Sequence, residues 1–143
     1  MIKDIRHTGI VVADLEASLY FYRNLLGFQI AKQLDEAGDY IDNISSLNNV
    51  QVKTVKMSSP FGQMIELLKY YSHPTEQKTR QICDIGISHI AFTVDNLDVE
   101  YERLRDKGVK FNSSPQLSPD GYAKVTFCRA PEGTLIELVE VLI

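Results

Sequence analysis

Four residues carry the chemistry that this chain advertises: His7, Glu66, His89 and Glu137. Each sits in a block that occurs twice. Ile5-Arg6-His7-Thr8-Gly9-Ile10-Val11-Val12-Ala13-Asp14-Leu15-Glu16 returns, at an offset of 82, as Ile87-Ser88-His89-Ile90-Ala91-Phe92-Thr93-Val94-Asp95-Asn96-Leu97-Asp98. Pro60-Phe61-Gly62-Gln63-Met64-Ile65-Glu66-Leu67 returns, at an offset of 71, as Pro131-Glu132-Gly133-Thr134-Leu135-Ile136-Glu137-Leu138. The order His…Glu, His…Glu is kept, and only the material between the blocks differs, by 11 residues. Two blocks repeated in the same order mark an internal duplication.

Strand alternation gives these residues a setting. His7 shares a face with Ile5, Gly9 and Val11, and Glu66 with Met64, Leu68 and Tyr70. His89 goes with Ile87, Ala91 and Thr93, and Glu137 with Leu135, Val139 and Val141. A carboxylate on an apolar face costs roughly several kcal/mol unless it is paired. The repeated blocks offer no matching pair of Lys or Arg: Arg6 has Ser88 as its counterpart. Two imidazoles and two carboxylates supply four N/O donors and two negative charges, which a divalent cation neutralises. Zn, Ni, Co, Mn and Fe all suit such donors, and thiolate ligation is not indicated. Of the two carboxylates, Glu137 is the first choice for general base and Glu66 the second. A duplication that outlived the loss of its metal is the competing reading. His73 has no repeated partner. Cys128 reads as a small core residue; Lys32, Lys56, Lys124 and Arg129 offer contacts to a substrate anion, with solvated strand residues the favoured reading.

The elements that position these residues follow from apolar periodicity. Ile5–Val12 reads as a strand buried on both faces. Asp14 caps a helix whose Leu15, Leu19, Tyr22 and Leu26 face inward, and Gly27 stops it. Strands are expected at Phe28–Leu34, Val50–Met57 and Gln63–Tyr70, with a short helical turn near Tyr40-Ile41 and a hairpin turn at Ser58-Ser59-Pro60 with Gly62. The second half repeats the plan: strand Ile87–Val94, then a helix capped by Asn96 with Leu97, Tyr101 and Leu104 inward and Gly108 at its end. A short strand Val109–Phe111 follows, then a loop Asn112–Gly121, then strands Tyr122–Arg129 and Thr134–Leu142 joined at Pro131-Glu132-Gly133. Each half is β-α-β-β-β. Ile10, Val12, Ile65 and Leu67 are expected under the helices, which leaves the His/Glu side facing a concavity. The fold class is α+β: one domain, 1–143, of two tandem β-α-β-β-β modules (4–71 and 86–143, linker 72–85) forming a curved mixed sheet around a metal cavity. A half of about 70 residues buries little surface alone, so the halves are expected to pack on each other or on a second chain.

Composition narrows the partners. The chain has 143 residues, 44% hydrophobic and 24% charged, with 15 Lys+Arg against 19 Asp+Glu. These are globular averages, and disordered, collagen-like and coiled-coil classes are excluded. No basic run tracks phosphates, so nucleic acid is not an expected partner. The longest uncharged run, Asn43–Val52, is mostly polar, so no membrane span is expected. Cys83 and Cys128 form no CxxC motif, and Met1-Ile2-Lys3-Asp4 leads into a strand without a signal peptide; both fit a reducing cytoplasm.

Paired β-α-β-β-β modules with His on the first strand and Glu on the last resemble the vicinal oxygen chelate superfamily. It includes glyoxalase I, methylmalonyl-CoA epimerase, extradiol dioxygenases, and fosfomycin and bleomycin resistance proteins. The resemblance covers essentially the whole chain and carries the metal ligands to His7, Glu66, His89 and Glu137. It implies one divalent metal ion per site, a homodimer, and a small carbonyl substrate such as a thiol conjugate or thioester. A ligand at Glu66 resembles the four-ligand glyoxalase-like branch, since the dioxygenase and fosfomycin sets lack it. The implied reaction is proton abstraction next to a carbonyl by a glyoxalase-like lyase/isomerase or an epimerase. A non-catalytic binding or resistance-type protein, or an extradiol-type dioxygenase, is the alternative. Leu67-Leu68-Lys69-Tyr70-Tyr71 departs from the T-x-N-W-like stretch of glutathione-using glyoxalases. Ile65-Glu66-Leu67-Leu68 and Ser88-His89-Ile90-Ala91-Phe92 look closer to the epimerase. Ala130 replaces the usual Asp before the last turn, and a glycine-rich stretch is reduced to Gly121.

Overall fold

A computed structural model describes residues 1–143. The chain divides into two compact units, Met1–Gln77 and Lys78–Ile143. In the first, β1 (Thr8–Val11), α1 (Leu15–Leu19), β2 (Gln29–Ala37), α2 (Asp39–Ser45), β3 (Gln51–Ser58) and β4 (Met64–Tyr70) follow in order. The second has β5 (Ile90–Thr93), α3 (Leu97–Asp106), β6 (Gln116–Leu117), β7 (Ala123–Arg129) and β8 (Leu135–Val141). Hydrogen bonds build two four-stranded mixed sheets of the same topology, β1-β4-β3-β2 and β5-β8-β7-β6. In each, the first strand runs parallel to the last and the remaining pairs are antiparallel. The architecture is the expected α+β class of two β-α-β-β-β modules.

Both crossover helices start where a polar side chain captures a free amide. Asp14 accepts the Ala17 N–H at 3.1 Å, and Asn96 accepts that of Val99 at 3.1 Å. On β8, Glu140 adds a second acceptor for α3, taking the Leu97 amide at 2.8 Å. The first helix departs from the expected periodicity. From Tyr20 to Leu25 it widens into a π-helix, with the Leu26 amide on the Phe21 carbonyl at 3.0 Å. The extra residue in the turn rotates the inward face, so Phe21, Tyr22 and Leu25 are buried while Leu26 is half-buried. Gly27, at φ +84°, then ends the helix in a conformation that a Cβ would disfavour.

One face of each sheet is covered. In the first unit α1 packs on β4, and Ile10, Val12, Val55, Met57, Ile65 and Leu67 are buried. In the second, α3 packs on β8, with Leu97, Leu104, Ile136 and Leu138 buried. The first unit has a further cluster on the opposite face, where Ile41, Val50 and Val52 pack with Leu47, Leu68 and Tyr70. The α2 loop that supplies Ile41 is fastened by Asp42, whose carboxylate accepts the amides of Asn49 and Val50 at 3.0 and 2.8 Å.

Several expected boundaries shift. The first strand of each half is shorter than the apolar run and is not buried on both faces: Ile10 and Val12 are buried in the first half, Ile90 and Phe92 only partly in the second, and Ile5, Ile87 and Val11 are 85%, 77% and 57% exposed. The apolar run therefore reads longer than the hydrogen-bonded ladder. Val109–Phe111 forms no strand; Phe111 makes a single bridge to Cys128. Instead β6 arises at Gln116–Leu117, inside the expected loop, because the Ser118 turn folds it back onto β7. The Tyr40-Ile41 turn is a full α2.

Replacing Asn96 by Ala removes the α3 cap and is expected to lower stability by about 0.5–2 kcal/mol, with Asn96→Asp close to wild type. Urea titration followed by far-UV circular dichroism checks both.

Candidate metal centre

The parallel pairing of first and last strands fixes the placement of the repeated residues. Gly9 lies opposite Glu66 and Ala91 opposite Glu137. Each His precedes its pairing residue by two, so it projects on the same face as the Glu. His7 Nε2 comes to 3.8 Å from Glu66 Oε1, and His89 Nε2 to 3.0 Å from Glu137 Oε2. All four side chains keep some contact with solvent, from 14% for Glu66 to 34% for His89. Each unit thus offers one imidazole nitrogen and one carboxylate oxygen. Within neither unit do three His, Cys, Asp or Glu side chains converge.

The spacing suits a shared cation. Two N/O ligands bound at about 2.0–2.2 Å, at angles of about 90–110°, stand about 2.8–3.6 Å apart. The His89–Glu137 pair falls inside that window, and the His7–Glu66 pair lies just outside it. A small rotation of the partly exposed His7 side chain would close the difference. Within each pair, the donor types and the spacing fit a divalent metal.

The two pairs have different surroundings. Across the β3–β4 ladder Lys56 faces Glu66, with Nζ 3.9 Å from Oε2, and Lys32 lies beside Lys56 on β2. Glu66 accordingly has a cationic neighbour, contrary to the expectation drawn from the repeated blocks alone. The ion pair is long and half-exposed, so its contribution is about 0–1 kcal/mol. At the matching position Glu137 faces Phe127. The Phe127 ring also meets His89 edge-on, with centroids 5.1 Å apart. Behind His89, Nδ1 stands 3.0 Å from Ser88 Oγ. Sequence reasoning read Lys56 as a solvated strand residue and passed over Phe127 and Ser88, although a signal existed for each. The tight turns at Ser59–Gln63 and Ala130–Thr134 set registers that place residues 56 and 127 opposite the two glutamates. Ser88 is the immediate neighbour of His89.

The remaining candidates have structural roles. Lys124 donates to Asp98 at 2.5 Å, and Arg129 donates to the carbonyls of Arg80 and Gly133. His73 Nδ1 lies 2.8 Å from Ser72 Oγ, which also accepts the Gln51 amide. Cys128 is buried beneath the second sheet, and burial pushes its thiol up to about 12. No helix is long and apolar enough to cross a membrane.

A sequence model of the Glyoxalase/Bleomycin resistance protein/Dioxygenase superfamily matches residues 4–138. Among curated proteins, the chain is 32% identical to the Bacillus subtilis protein YwkD, described as uncharacterized, over 98% of each chain. It is 30% identical to a Schizosaccharomyces pombe lactoylglutathione lyase over 94% of this chain and 46% of that one. An ethylmalonyl-CoA/methylmalonyl-CoA epimerase of Cereibacter sphaeroides is 26% identical over 99% and 100% of the two chains. Among solved structures, a glyoxalase family protein from Bacillus cereus superposes with a TM-score of 0.89, at 23% identity, over 100% of this chain and 97% of that one.

The buried Cys128 thiol stays protonated far above neutrality, and the thiolate is the reactive form. Iodoacetamide at pH 8 is expected to label the exposed Cys83 and spare Cys128, with both labelled in urea. Peptide mass spectrometry reads the difference.

Proposed function

The chain belongs to the Glyoxalase/Bleomycin resistance protein/Dioxygenase superfamily, and from that premise we propose that it is a metal-dependent isomerase, lyase or epimerase that moves a proton next to a carbonyl. The observation that carries the reading is the duplicated His–Glu pair, 3.8 and 3.0 Å between N and O, one in each unit. His7, Glu66, His89 and Glu137 hold one divalent cation in this reading. The substrate is a small carbonyl compound, carried as a thiol conjugate or a thioester. Relatives named lactoylglutathione lyase and ethylmalonyl-CoA/methylmalonyl-CoA epimerase support that substrate class. The protein acts as a homodimer in the cytoplasm.

A divalent cation, when bound, supplies Lewis-acid stabilisation for the negative charge that builds on a carbonyl oxygen as the neighbouring C–H loses its proton. The protein's own part is to hold and move that proton. Glu137 takes it on a carboxylate oxygen, and the C–H bonding pair is left on the substrate as an enolate. Glu137 then returns the proton, to the same carbon for epimerisation or to the adjacent carbon for isomerisation. Two features favour Glu137 over Glu66. Glu66 has the Lys56 ammonium opposite it, whereas Glu137 has the Phe127 ring. The Lys56 contact engages Glu66 in an ion pair, whereas no cation faces Glu137 across its ladder. His7 and His89 have no proton to move in this scheme and serve as neutral nitrogen donors.

Purified protein is expected to take up about one equivalent of Ni, Co or Zn per chain. The loaded protein is expected to exchange the α-proton of hemithioacetals or acyl-CoA thioesters with deuterium from solvent. Glu137→Gln should reduce turnover by about 10²–10⁴-fold while the protein stays folded. Failure of the wild-type protein to bind any divalent metal would overturn the proposal. So would metal uptake and substrate binding without exchange or turnover, which fits a sequestering protein.

A further inference from the structure

The two halves of the duplication treat their histidines differently. The residue before His7 is Arg6, and the residue before His89 is Ser88. Ser88 Oγ donates its only proton to the Ile82 carbonyl at 2.8 Å. With that proton committed, the same oxygen meets His89 Nδ1, at 3.0 Å, as an acceptor alone. The contact is satisfied when Nδ1 carries the ring proton. A neutral imidazole has one protonated and one free nitrogen, so Nε2 is left with its lone pair. Nε2 is also the atom that stands 3.0 Å from Glu137.

The acceptor that orients Ser88 is itself held in place. Ile82 lies in a turn closed by two hydrogen bonds, the Gln81 amide to Asp84 Oδ2 at 2.8 Å and the Asp84 amide to the Gln81 carbonyl at 3.1 Å. Arg129, on β7, ties the start of the turn to the sheet by donating to the Arg80 carbonyl at 2.8 Å. Arg80 in turn reaches the Ile85 carbonyl at 3.3 Å. A segment expected from composition to be mere linker thus reaches back to the chemistry through Ile82 and Ser88. Phe127 also packs against the His89 ring in a T-shaped contact.

We propose that Ser88 is a positioning residue: it fixes the Nδ1–H tautomer of His89 and thereby presents Nε2 as a ready donor to a divalent cation. The proposal rests on the metal-binding reading given above and adds which atom binds and what prepares it. Partners that orient a metal-binding His in this way are worth about 10–100-fold in affinity. Arg6 offers His7 no such hydroxyl, so the preparation belongs to the second half alone.

The test is zinc affinity by competition with a chromophoric chelator, on the full chain, together with long-range 1H–15N correlation of the imidazoles. Ser88→Ala is expected to weaken zinc binding about 10-fold or more, and Ser88→Thr, which keeps the hydroxyl, to restore it. Circular dichroism confirms that each variant is folded. In zinc-loaded wild type the His89 ring should show a protonated Nδ1 and a metal-shifted Nε2. Unchanged zinc affinity in folded Ser88→Ala, or metal on Nδ1 in the wild type, overturns the role given to Ser88 and leaves the metal reading intact. Wild-type protein that takes up no zinc removes the metal reading and this proposal with it.

Discussion

The parallel pairing of the first strand with the last, once in each unit, is the constraint on which the proposed chemistry depends. It sets Gly9 against Glu66 and Ala91 against Glu137. A slip of one residue along either strand would turn the histidine to the opposite face, because side chains alternate with a period of two. The register is held by what lies on that opposite face. Ile10 and Val12 of the first half, and Ile136 and Leu138 of the second, are buried. Burial of each such aliphatic side chain is worth about 1.5–3 kcal/mol, far more than the His–Glu contacts in water. The apolar side of the sheet thereby decides the geometry of its polar side.

A crossover helix is needed to join parallel strands, and each half spends its best local signals on starting one. Asp14 and Asn96 occupy equivalent positions in the repeat and cap equivalent helices. Beyond that point the halves diverge. The first helix widens and buries three consecutive-turn residues, Phe21, Tyr22 and Leu25, while α3 stays regular and takes a second amide acceptor from Glu140. The first half inserts α2 and builds a second small core around Ile41. The second half spends the equivalent stretch on the two-residue β6 and a loop.

This divergence reaches the candidate centre. Duplication supplies two His–Glu pairs, and the neighbours then make them unequal. Glu66 has a lysine across the ladder and Glu137 a phenyl ring. His89 is backed by a serine that is itself anchored, while the corresponding position before His7 holds an arginine. The duplication thus yields equal donors in unequal settings.

The amino-acid sequence by itself determined the duplication, the β-α-β-β-β order of each half, the two helix caps, and the choice of His7, Glu66, His89 and Glu137 as the candidate site residues. All of these are local or periodic properties, written in residue types at fixed spacing. Tertiary structure decided the rest. The length of β1 and β5 depends on where the ladder stops, and apolar runs such as Ile5–Val12 continue past that point. The widening after Tyr20 depends on how the helix meets the sheet, which a strict 3.6-residue period cannot anticipate. The strand at Gln116–Leu117, in place of Val109–Phe111, depends on which segment reaches the edge of β7. Above all, Lys56, Phe127 and Ser88 acquire meaning only through the residues they face, and cross-strand neighbours are set by register rather than by motif.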